Sequence, residues 1–332
     1  ADASALSADA AAAAAADGDA SCSRSAEAEG SCCRRLRGRT ALVPAPAPAW
    51  CAHCSVLTTL VLRRQQLAEL PPCVSELRAL AVLDASGNLL SGLPSGMRRL
   101  AELRELLLAS NCFRSLPDWL HELARLQTLS LQHNRLAALP AAALCCPRLR
   151  YLRWGLQRPA GEEVAADGGA GGGGGATLEG GASPVVPGFS SPELAVLELE
   201  ANGQAELPLL PAQSEALTAV LAPFNRLGAL PPQLARFGGS LRKLQLGGNR
   251  IRTVTDEELG ALPQLTELGL EANELSKLPP AVGRLSRLRE LTCFGNQLGA
   301  LPDEIGGCAS LVVLQAHHNR LTSLPASLGE LG

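Results

Sequence analysis

From Leu57 onward leucine returns on a fixed beat, and that period constrains the fold more than any other feature of the chain. One unit reads Leu-x-x-Leu-x-Leu-x-x-Asn-x-Leu-x-x-Leu-Pro-x-x-Leu-x-x-Leu-x-x. Its first leucine falls at 57, 80, 103, 126, 149, 194, 217, 241, 265, 288 and 311. Successive starts lie 23 or 24 residues apart, except for the 45 between Leu149 and Leu194. No such unit can bury its leucines alone. Eleven of them must stack so that neighbours share a core, which makes a solenoid. Leucine supplies 64 of the 332 residues and aromatics only 3%, so that core is aliphatic.

Each recurring position has a physical task. In Leu126-x-x-Leu129-x-Leu131, the last two leucines alternate with Ser130, as in a short strand with one face buried. The spacing predicts strands at 59–61, 82–84, 105–107, 128–130, 151–153, 196–198, 219–221, 243–245, 267–269, 290–292 and 313–315. Position nine is Asn in nine units, with Gln65 and Gln157 replacing it in the first and fifth. A buried Asn there can satisfy backbone groups that a tight turn leaves unpaired. Leu-Pro then turns the chain where no ladder donor is needed, and the apolar tail closes the far side with a helical or 3-10 turn. The expected architecture is α/β: a right-handed horseshoe solenoid with a parallel sheet on its concave face and short helical or 3-10 turns on its convex face.

Two segments break the rhythm. Residues 1–47 are rich in Ala, Ser and Arg, include a cluster at Arg34, Arg35, Arg37 and Arg39, and lack hydrophobic period; they read as a disordered tail before a solenoid over 48–332. Residues 158–192 hold Gly171–Gly175 and no apolar pattern, and read as a flexible loop inserted in the fifth unit. That glycine run lacks the Gly-Lys-Ser/Thr ending of a phosphate-binding loop. The chain has no initiator Met and no polar closing segment after its last unit, so a fragment of a longer chain is expected.

Composition narrows the function. A net charge of −3 argues against a nucleic-acid surface, and no run of 18 apolar residues suggests membrane insertion. Eleven cysteines are an odd set for a closed disulfide framework and read as reduced thiols of a cytoplasmic protein. Cys51-x-x-Cys54 resembles a metal motif. In repeat register, however, both fall where Val74 and Leu77 fall in the next unit, so buried, metal-free thiols are expected there and at Cys146, Cys293 and Cys308. The histidines match no hydrolase signature. Neither an enzyme activity nor a cofactor or metal is expected.

What remains is a surface. Strand positions three, five and seven should line the concave face. Leu107, Tyr151, Arg153 and Leu221 there combine aromatic, guanidinium and aliphatic character, the chemistry of binding hot spots. Glu198, Glu200, Glu267, Glu271 and Glu290 make an acidic stretch suited to a basic partner, with Lys243, Phe294 and His317 on the same face.

Units such as 288–311 (LRELTCFGNQLGALPDEIGGCASL) resemble those of the Ras-group intracellular leucine-rich repeat proteins. The resemblance implies a non-enzymatic scaffold that binds a protein partner in signalling, with Gln65, Gln157 and the long insertion as departures from the pattern; a monomer is expected. Two other readings stay open: the sensor part of a longer repeat kinase, immune receptor or ubiquitin ligase, and a subunit of a cytoskeletal or axonemal assembly.

Overall fold

A computed structural model describes residues 56–331 apart from 138, 140, 158–190, 208, 209 and 211–214. The tail, the Cys51/Cys54 motif and nearly all of the insertion lie outside the described residues. Within them stand eleven strands of three residues each: β1 Thr59–Val61, β2 Val82–Asp84, β3 Glu105–Leu107, β4 Thr128–Ser130, β5 Tyr151–Arg153, β6 Val196–Glu198, β7 Ala219–Leu221, β8 Lys243–Gln245, β9 Glu267–Gly269, β10 Glu290–Thr292 and β11 Val313–Gln315. They are the strands the spacing predicts. All pair in parallel and in chain order, forming one eleven-stranded sheet.

The register keeps equivalent positions side by side. Leu129 pairs with Leu106 on one side and Leu152 on the other, and all three are fully buried. The return strokes are short because proline starts most of them. Pro71, Pro94, Pro117, Pro231, Pro279, Pro302 and Pro325 each precede a 3-10 turn. The eighth unit lacks Leu-Pro and starts differently: a capping box at Thr255 and Glu258 opens the short helix α2, Asp256–Gly260, after α1 at Ala141–Leu144 in the fourth unit. Both Thr255–Glu258 bonds are present, at 2.7 and 3.2 Å, so two otherwise unpaired N–H groups find acceptors.

The asparagines form a ladder through the core. Asn134 donates to the carbonyls of Leu108 at 2.9 Å and Leu131 at 3.0 Å, and accepts from the N–H of Phe113 at 3.1 Å. Gln157 makes equivalent bonds, donating to Leu131 at 2.8 Å and accepting from Leu136 at 3.0 Å; the substitution departs from the consensus without breaking the ladder. Asn202 is the exception. It donates to Trp154, but its buried Oδ1 has no partner among the described residues. Elsewhere the donor is the backbone N–H at position eleven of the preceding unit; counted from Leu149, that residue is Pro159, which carries no N–H.

The inserted segment returns to register at its edge. Ser191, counted with the loop on composition, is fully buried and donates to the carbonyls of Leu144 and Cys146 at 2.6 and 2.9 Å. It stands three residues before a first leucine, where the preceding unit has Cys146.

Cys146, Cys293 and Cys308 are free and buried. Burial pushes their thiols up to about 12, about 12 and about 11, with neighbouring Cys145 adding to the effect at Cys146. Since the thiolate is the nucleophile, alkylation at about pH 8 should modify half-exposed Cys112 and Cys145 at least ~100-fold faster than these three. Timed labelling with peptide mass spectrometry reads the rates; equal rates would refute the burial argument.

Candidate concave binding face

The concave face starts from strand alternation. Side chains at positions four and six enter the core, which leaves three, five and seven for the open side. Position five runs as one row, because Leu107 pairs with Ser130, Ser130 with Arg153, Arg153 with Glu198 and Glu198 with Leu221. Strands about 4.8 Å apart place Leu107 and Leu221 roughly 20 Å from one another along that row, with Arg153 at its middle. Tyr151 lies on the same strand as Arg153 and is 37% exposed. The four residues read as a hot spot therefore share one continuous patch.

The electrostatics differ from the sequence reading. Glu198 faces Arg153, with Nε and Oε2 3.3 Å apart, a charge contact in which Nε lacks hydrogen-bond alignment. Glu267 is held by Lys243 at 2.6 Å, and Glu271 accepts from the Thr292 hydroxyl at 2.8 Å. The acidic stretch is thus partly compensated within the sheet. Glu200 and Glu290 have no ion pair among the described residues. Position five is also less open than alternation implies. Asp84, Ser130 and Thr292 are almost covered, because long neighbours lie over them: Arg63 on Asp84 at 2.5 Å, Gln132 on Ser130 and Glu271 on Thr292. At the far end Phe294 and His317 stack face to face, centroids 4.5 Å apart, with His318 edge-on.

Glu198 records the desolvation of this face. Burial pushes its carboxyl above the ordinary 4.5, Arg153 pulls it back, and Glu200 adds to the rise. A carboxyl raised in the folded state keeps its proton longer folded than unfolded, so stability falls as pH climbs from 4.5 through the folded value. Glu198→Gln should remove that decline, melting above the parent near pH 7 and with it near about pH 3. Melting curves across pH test this, and a variant less stable than the parent at pH 7 would show that the Arg153 contact outweighs desolvation.

Sequence reasoning missed Phe224, a ring 61% exposed on the rim of the face. It stands at position eight, where φ is positive in all eleven units, from 50° at Ala201 and Ala272 to 71° at Gly87. Glycine or a small polar residue suits such a place, and Phe at φ 56° does not. The signal available in the sequence was an aromatic residue in a column that otherwise holds Gly, Ala, Ser, His, Arg or Leu.

Among the described residues no helix is long and apolar enough to cross a membrane. A leucine rich repeat family model matches residues 80–136 and 217–275. No curated protein matches. Solved structures do. A leucine-rich repeat protein of Leptospira interrogans aligns with TM-score 0.50 and 25% identity over 83% of this chain and 76% of its own. YopM from Yersinia enterocolitica aligns with TM-score 0.51 and 26% identity over 82% of this chain and 48% of its own. An internalin of Listeria monocytogenes, at TM-score 0.55 and 19% identity over 85% and 86%, adds likeness of fold alone. Folds of this class are typical protein–protein interaction scaffolds. Repeat consensus, ordered parallel sheet and structural likeness agree: the chain carries leucine-rich repeats and folds as a leucine-rich repeat solenoid.

Proposed function

We propose that this chain is a non-enzymatic scaffold that binds a protein partner on its concave face, in an intracellular signalling setting. The observation that supports it most directly is the position-five row. Leu107, Arg153 and Leu221 are aligned on it beside exposed Tyr151, and none of the four is needed to fill the core. Arg and Tyr carry large contact area with directed polar groups, the profile of binding anchors. The free thiols of the described residues fit a reducing compartment.

The test starts with capture of a partner by the full chain and measures its dissociation from variants. Arg153→Ala with Leu221→Asp should raise Kd at least about 30-fold, chiefly through the off-rate. Convex Arg287→Ala should leave it within about twofold. A partner bound as tightly by the double variant as by the parent would end the concave-face reading.

A further inference from the structure

The concave reading names a face but not the chemistry of what docks there. Over β8–β10 the face has a floor of glycine covered by side chains from the neighbouring units. Gly247 and Gly248 follow β8, and Gly269 ends β9. With no Cβ at these three places, neighbouring side chains lie down into the space. A Cβ on Gly247 would fall 2.0 Å from Glu271 Oε1, and one on Gly248 would fall 2.5 Å from the ring of Phe224. On Gly269 it would fall 1.6 Å from Gln245 Oε1 and 3.1 Å from Glu271 Oε2. Carboxylate, amide oxygen and aromatic ring thus converge above a floor of backbone.

The charge around these glycines is unbalanced. Lys243 is taken by Glu267, and Glu290 stands directly opposite Glu267 in the register. Like charges so placed repel. Neither Glu271 nor Glu290 has a basic partner among the described residues. Phe224 lies against Gly248 and still leaves most of its ring exposed. No group of three or more carboxylates, histidines or cysteines among the described residues is placed to hold a metal ion. Acceptors of Glu271 and Gln245 lie together over Gly269, and a planar fork of several N–H donors answers them. Arginine has that shape: its guanidinium pairs with carboxylate through parallel bonds, and its flat face and stem stack on aromatic rings.

We infer that an arginine side chain of the protein partner docks on the side chains that cover Gly247, Gly248 and Gly269, stacked on Phe224 and paired with Glu271. This rests on the concave-face reading and deepens it. The guanidinium also supplies the positive charge that Glu271 and Glu290 lack.

The experiment is an amide NMR titration of the full chain with acetyl-(Gly-Arg)4-amide, with acetyl-(Gly-Lys)4-amide in parallel. The arginine peptide should shift the amides of Gly247, Gly248 and Gly269 saturably, and the lysine peptide should bind several-fold more weakly. Glu271→Gln and Phe224→Ala should each weaken the arginine peptide about tenfold, while convex Glu304→Gln should leave it unchanged. Melting curves matching the parent would show that both variants are folded; Glu271→Gln keeps an acceptor for Thr292, and the Phe224 ring lies outside the core. Shifts scattered over the convex side, no saturable binding, or undiminished affinity in both variants would overturn the arginine site. If that happened while Arg153→Ala with Leu221→Asp still released the captured partner, the concave reading would stand and only the arginine assignment would fall.

Discussion

Asn134→Ala should lower the unfolding free energy by about 1–3 kcal/mol, since a buried polar group left unpaired costs about that much. The change strands the N–H of Phe113 and takes one of two side-chain donors from the carbonyls of Leu108 and Leu131, which keep Asn111 at 3.1 Å and Gln157 at 2.8 Å. Asn134 is fully buried, so water does not replace the lost amide without opening the core. Asn134→Gln should cost clearly less, because Gln157 already fills the equivalent place one unit on. Urea unfolding followed by circular dichroism measures both. A loss below about 1 kcal/mol for the alanine variant would mean that the ladder contributes little.

Leu129→Ala should cost about 2–5 kcal/mol, the range for large-to-small changes in a rigid core. Leu129 has zero exposure and leucines on both sides in the sheet, so neither flank can move in to fill the cavity. Leu314→Ala, at the same place in β11, should cost less than half as much. Leu314 is only half-buried, because among the described residues β11 has a strand partner on one side only. Equal losses at the two positions would show that stacking of neighbouring units does not set the energy.

The contrast between Leu129 and Leu314 marks what a single repeat unit can encode. Both carry the same letter in the same frame, and the frame alone identifies a strand residue pointing inward. How much that residue stabilises depends on what packs from the next unit. Phe224 shows the same limit from the other side. Its neighbour Gly248 is 24 residues away, and the ring's place on the rim follows from a backbone conformation that strand alternation does not describe. The acidic face was legible as a set of glutamates, but its effective charge was not, because Arg153 and Lys243 neutralise two of them across the register.

By itself the sequence determined the period, the strands, their parallel order and the Asn ladder. Each follows from contacts at a nearly constant offset: 21 or 26 residues for most ladder bonds, and 23 for the strand register from β1 to β5. A constant offset writes itself into the chain as periodicity. Only the tertiary structure decided which concave charges are paired, that Gln157 stands in for Asn, that the Asn202 Oδ1 lacks a donor among the described residues, and that Glu271, Gln245 and Phe224 lie over three glycines. These depend on side-chain directions and on the individual residues that happen to meet between neighbouring units. Such meetings do not repeat, so no period in the sequence announces them.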